Sequence, residues 1–203
     1  MAASSVTYTS SDTTNVAEQL INPSYIVAER YEDGDTDDDP TGEAFILESV
    51  IRDTTEGSQD DNDTDDIECE TSDSPIYTVV KKGAFKLSME IADTQTALLV
   101  ALCDFVNDST NNKVYAKSKY TAIYARISIV YELSDGTFTA MVYPKVQLNS
   151  KLMLESLNSN LNRIQLAGTA KDITITVDDT TYRVPFYKNT NYELPTASES
   201  ESE

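Results

Sequence analysis

The chain has 203 residues, with 35 acidic against 15 basic side chains and no histidine, for a formal net charge of −20. This composition excludes His-ligated zinc and the Ser-His-Asp and Cys-His catalytic pairs, and a surface so negative repels nucleic acid and anionic membrane. Residues 32–75 hold 18 of the acids and one base (Arg52), which leaves 17 acids and 14 bases on a nearly neutral remainder. With that stretch and both ends set aside, about 120 residues remain, enough for one core that buries roughly two-thirds of its unfolded surface. Twelve tyrosines against six glycines and six prolines suit strands and polar loops better than a helical bundle.

In chain order, residues 1–22 are Ser/Thr-rich without periodicity and read as an N-terminal arm. It has neither a basic start nor an apolar core, so no secretion signal is expected. The longest apolar run, Ala97–Cys103, is too short to span a bilayer. The expectation is a protein made in the cytoplasm, without membrane insertion, in which Cys69 and Cys103 are both free thiols. A single domain is expected over 23–188, followed by a flexible acidic tail at 189–203.

Ser24–Glu29 is a short strand candidate. An acidic loop follows at 32–42, then a strand at Glu43–Ile51, then a second, long acidic loop at 52–75. Ile76–Lys82 reads as a strand broken by Gly83. Phe85, Leu87, Met89 and Ile91 alternate with Lys86, Ser88 and Glu90, which predicts a half-buried strand. Asp93 or Thr94 can cap a helix over Gln95–Val106, whose stripe Leu99, Leu102, Cys103 and Val106 is broad enough to pack on a sheet. Ile123–Glu132 and Phe138–Leu148 flank Asp135-Gly136 and predict a long hairpin. Lys151–Leu157 fits a strand end or one helical turn. Ile164–Ala170 reads as a strand, and Ile173–Val177, the turn at Asp178-Asp179-Thr180 and Tyr182–Phe186 form a second hairpin. The total is seven to nine strands with one helix after the fourth. The predicted fold is mainly β: an antiparallel β-sandwich or barrel with one α-helix packed on one face and long acidic loops.

Several patterns suggest chemistry and fail on inspection. Asp33-Gly34-Asp35-Thr36-Asp37 and Asp61-Asn62-Asp63-Thr64-Asp65 resemble calcium loops, which need Gly at position six and Glu at position twelve. Those positions are Asp38 and Ala44 in the first run, and Asp66 and Ser72 in the second. A solvated charge run is the default reading of both. Tyr115, Tyr120, Tyr124 and Tyr131 could stack bases, but cross-strand packing explains them more simply. Cys103 reads as a buried, inert thiol. Acidic pairs without apolar enclosure have no tuned pKa, so no catalytic residue, metal ligand or cofactor is expected and the chain is not read as an enzyme.

From about Lys82 to Phe186 the chain resembles the tail tube proteins of long-tailed bacteriophages, relatives of contractile injection system tube proteins. The pieces are Gly83-Ala84-Phe85-Lys86-Leu87-Ser88-Met89-Glu90 before the helix, Tyr143-Pro144-Lys145-Val146 in the long hairpin, and Ile164-Gln165-Leu166-Ala167-Gly168-Thr169-Ala170 near the end. The resemblance implies a virion structural subunit that forms homo-hexameric rings stacked into a hollow conduit. DNA would pass through without specific binding, and other tail proteins would be its partners. Alternatives are another phage component, such as a decoration or terminator protein, a cation-binding or adhesive surface β-sandwich, or a cytosolic nucleic-acid mimic. Lys81, Lys82 and Lys86 have an exposed face as their simplest reading. Alternatively they meet the acidic residues Asp60, Asp61, Asp63, Asp65 and Asp66 of a neighbouring subunit.

Overall fold

The computed structural model describes residues 23–36, 39–69, 72–154 and 162–195. The expected arm at 1–22, the 196–203 part of the expected tail and residues 155–157 of the ambiguous segment lie outside these. The fold is mainly β with antiparallel sheets and, among the described residues, one helix.

Fifteen strands are described: β1 (Tyr25–Arg30), β2 (Ala44–Ile46), β3 (Glu56–Gln59), β4 (Asp63–Cys69), β5 (Ser72–Lys81), β6 (Phe85–Ile91), β7 (Phe105–Asp108), β8 (Lys113–Ala116), β9 (Ile123–Glu132), β10 (Phe138–Leu148), β11 (Lys151–Met153), β12 (Arg163–Ala170), β13 (Ile173–Val177), β14 (Thr180–Val184) and β15 (Tyr187–Asn189). Helix α1 (Thr96–Cys103) follows β6. Nine strands form one sheet in the order β2-β1-β9-β10-β12-β6-β3, with β11 on β12 and β15 on β10. The pairs β4-β5, β7-β8 and β13-β14 are separate two-stranded ribbons. The count exceeds seven to nine because short strands form wherever a partner supplies hydrogen bonds, whatever their own propensity.

The sheet curls until its two ends nearly meet. After β2 the Leu47 amide donates to Ile26 of β1 (2.8 Å), and then the Ile51 and Ala92 amides donate to Glu90 and Ser49 (2.8 and 2.9 Å). Residues 47–51 thus step from β1 to β6, strands near opposite ends of the sheet order. The expected strand Glu43–Ile51 is therefore a strand only at Ala44–Ile46. Its apolar residues serve instead to close the seam, with Leu47 buried and Val50 packed on the core.

Inside the curl, Leu87, Met89 and Ile91 of β6 meet Ile123, Ala125, Ile127 and Ile129 of β9, Ile164 and Leu166 of β12, and Leu98, Leu99, Ala101 and Leu102 of α1. The alternation in β6 and β9 is the sequence cause of that face. On β10 the inward positions change parity: Met141 and Tyr143 face this core before a bulge, Val146 and Leu148 after it. The extra residue lies at Pro144-Lys145, where a proline without an amide proton costs no ladder bond. The Tyr31 hydroxyl donates to the Pro144 carbonyl (2.9 Å), and Lys145 lies over the rings of Tyr31 and Tyr124 (5.2 and 5.8 Å).

The opposite face carries a smaller core of Val27, Val130, Ala140 and Val142. The chain from Tyr187 on covers it, past the expected boundary at 188: Tyr187, Tyr192 and Leu194 pack there, and the Tyr192 amide donates to Phe138 (3.0 Å). The ordered body therefore runs past the expected boundary, because that apolar face needs a cover.

Helix α1 is shorter than the expected Gln95–Val106. Asp104 takes the left-handed conformation (φ 58) and its amide donates to Leu99, which ends the helix. Val106 consequently leaves the apolar stripe and becomes exposed on β7. At the other end neither Asp93 nor Thr94 is the cap: Gln95 takes the N-cap position without a side-chain cap bond, and Asp93 accepts from the Gln95 amide just before the helix (2.9 Å). Burial pushes the Cys103 thiol up to about 12, so it stays protonated and unreactive near neutrality. The long hairpin turns at Gly136 (φ 81), and the β13-β14 turn has Asp178 and Asp179 both at positive φ (49 and 60), the signature of a type I′ turn.

Candidate assembly surface

The expected loop at 52–75 is largely strand. β3 pairs with β6 from Glu56↔Ser88 to Gln59↔Phe85, and β4 pairs with β5 from Asp63↔Lys81 to Ile67↔Tyr77, in one unbroken register. Residues 56–88 are therefore a single hairpin whose inner part belongs to the main sheet. Its outer part is a separate two-stranded ribbon on the strand order. β5 alone, with 10 residues, is roughly 33 Å long. Sequence pattern hides β4, because Asp-Thr-Asp-Asp carries neither alternation nor β propensity. β5, with its Tyr77-Thr78-Val79-Val80 run, imposes extended structure on it. Pro75 is tolerated because, among the described residues, β5 has a partner strand on one side only.

The two halves join at an elbow. The Asp60 amide donates to Ala84 (2.9 Å) and the Gly83 amide to the Asn62 side chain (3.1 Å). The strands cross so closely that a Cβ on Gly83 would lie 1.8 Å from the Asp60 carbonyl oxygen. The residues expected to meet a neighbour gather here. Lys86 pairs with Asp60 (2.8 Å) and Lys81 with Asp65, both within the chain. Lys82 lies 5.3 Å over the Phe85 ring, which stacks on Phe186 (5.7 Å). Asp61 and Asp63 are exposed. Asp66 pairs through its backbone with Thr78, and its side chain is outside the described set. The exposed pairs contribute only about 0.2–1 kcal/mol each. What they do is neutralise two lysines, while residues 60–75 hold eight acids and no base.

The β7-β8 ribbon is the second projecting element. Val106 lies directly opposite Tyr115, and both are exposed (44% and 48%). Sequence reading missed this surface because Val106 was assigned to the helix. Its foot is held by Asp104, itself only 8% exposed. Desolvation pushes the Asp104 carboxyl up, but hydrogen bonds from the Lys117 ammonium (2.5 Å) and the Thr121 amide (2.8 Å), with the Lys117 charge, outweigh it and hold the group below its ordinary value. A depressed carboxylate contributes stability that is present above its unfolded value and lost as pH falls through the folded one. Asp104→Ala should therefore lose these acceptors and strain a left-handed residue, costing about 2–4 kcal/mol. In urea unfolding, the gap between wild type and Asp104→Asn should be widest at pH 7 and shrink steadily below pH 4.

The four tyrosines expected to pack do so unequally. Tyr131 packs on the main core and Tyr124 faces Lys145, whereas Tyr115 and Tyr120 are exposed. In the first calcium-like run, the Asp35 carboxylate accepts from the Glu32 and Thr41 amides and the Thr41 hydroxyl (2.7, 2.9 and 2.6 Å). Among the described residues no group of three or more acidic, Cys or His side chains could hold a metal ion. Among them, too, no helix is long and apolar enough to cross a membrane. No protein-family model and no curated protein matches the chain.

Proposed function

We propose that the chain is a virion structural protein, a tail tube subunit that assembles with copies of itself into hexameric rings stacked as a hollow conduit for DNA. The observation that carries this reading is the 56–88 hairpin, which is half sheet and half projecting ribbon. A two-stranded ribbon is marginal in water unless something packs on it, so a neighbouring subunit is its natural cover. Charge supports the same reading. DNA must slide without being held, and a net charge of −20 repels phosphate as a whole. Such a subunit would be made in the cytoplasm of a bacterial host, would reside in the virion tail, and would have other tail proteins as partners at the tube's ends.

Negative-stain microscopy of concentrated purified protein tests the proposal. Six-fold rings or tubes are expected. A protein that sediments as a strict monomer at the highest attainable concentration would overturn it.

A further inference from the structure

We infer that the β7-β8 ribbon of one copy docks on the acidic elbow at residues 60–65 of the next. The inference rests on the self-assembly proposed above and names its contact.

Among the described residues, nothing covers the apolar and aromatic surface that the ribbon carries. Besides Val106 and Tyr115, Tyr120 is 55% exposed, and its hydroxyl donates to the Leu148 carbonyl, which fixes the ring instead of burying it. Exposed aromatics fixed by a polar tip are well suited to an interface. The surface is also basic. Residues 104–120, the ribbon with its flanks, hold Lys113, Lys117 and Lys119 against Asp104 and Asp108. Lys117 is paired with Asp104. Lys113 and Lys119 are exposed, and the Asp108 carboxylate across the strand from Lys113 accepts hydrogen bonds from Asn111.

The elbow offers the complement. Asp60 and Asp65 are balanced by Lys86 and Lys81, while Asp61 and Asp63 face solvent beside them. Val80 of the same ribbon is 61% exposed. An acidic patch meeting a different, basic patch is a heterologous contact. Repeated between identical copies, it closes a ring or extends a stack, as a tube requires. Charge complementarity of this kind fixes partner and register.

The test uses two double variants and their combination in the full chain. Lys113→Glu with Lys119→Glu, and separately Asp61→Lys with Asp63→Lys, should each raise the concentration needed for assembly at least tenfold by sedimentation velocity. The fourfold swap in one chain should restore it. General repulsion predicts otherwise: it would make the second variant, which is less negative than wild type, assemble better. That result, or assembly of both double variants at the wild-type concentration, or failure of the swap to restore it, overturns the contact while leaving the tube reading standing. A wild type that never assembles overturns both. Circular dichroism confirms the folded state of each variant, and Lys113→Ala with Lys119→Ala serves as a milder version with a smaller shift in the same direction.

Discussion

Gly83→Ala is expected to unfold the outer ribbon while leaving a folded β body. The added Cβ would lie 1.8 Å from the Asp60 carbonyl oxygen, 2.4 Å from its carbon and 2.7 Å from the Asp61 oxygen. All three are backbone atoms, so no side chain can swing aside and the two strands must part. Overpacking of this kind costs about 3 kcal/mol or more where the neighbours are rigid. Parting them breaks the Asp60-Ala84 hydrogen bond and the Asn62 contact to the Gly83 amide. The inner pairing of β3 with β6 has the main sheet beside it, but among the described residues the outer ribbon has only its own ladder. The loss should therefore fall on residues 60–84. Limited proteolysis should cut there first and leave the remainder protected, and amide exchange should accelerate in β4 and β5 but not in β9 or β12. Unchanged protection of the ribbon would show that the elbow does not hold it.

Gly168→Ala should lower global stability by about 3 kcal/mol, or roughly 6–12 °C in Tm for a chain of this size. Gly168 pairs with Leu148 of β10 on one side and Leu87 of β6 on the other. A Cβ there would meet Val146 Cγ1 at 2.4 Å and the Gln147 carbonyl oxygen at 2.8 Å. The bulge at Pro144-Lys145 turns Val146 inward, so the glycine answers a packing demand set two strands away in sequence terms. Val146→Ala in the same chain should relieve part of the clash. A double-mutant cycle should then give a favourable coupling of about 0.5–3 kcal/mol. The backbone oxygen of Gln147 remains in the way, so relief should be incomplete. Strict additivity of the two substitutions would refute the explanation.

These two glycines mark the division between what sequence shows and what it conceals. Strands β6, β9 and β10, the Asp135-Gly136 turn, the β13-β14 hairpin and the presence of one helix were all legible. Each is written in a period-two pattern, a turn pair or an apolar stripe within one local window. The acidic ribbon was not, since β4 has the composition of a loop and becomes a strand only because β5 lies in register against it. The proposed docking surface was half legible: the lysines and tyrosines at 113–120 stood out, but Val106 did not join them until Asp104 stopped the helix three residues early.

The sequence by itself determined a mainly-β body with one helix and a segregated acidic segment, because alternation and charge are local properties of the chain. Tertiary structure alone decided that this segment is a registered hairpin with a glycine elbow, that residues 47–51 close the curled sheet, and that Tyr187–Leu194 cover its outer face. Each of these depends on a hydrogen-bond partner or an apolar face supplied by residues far away in the chain, and no local pattern records a partner's position.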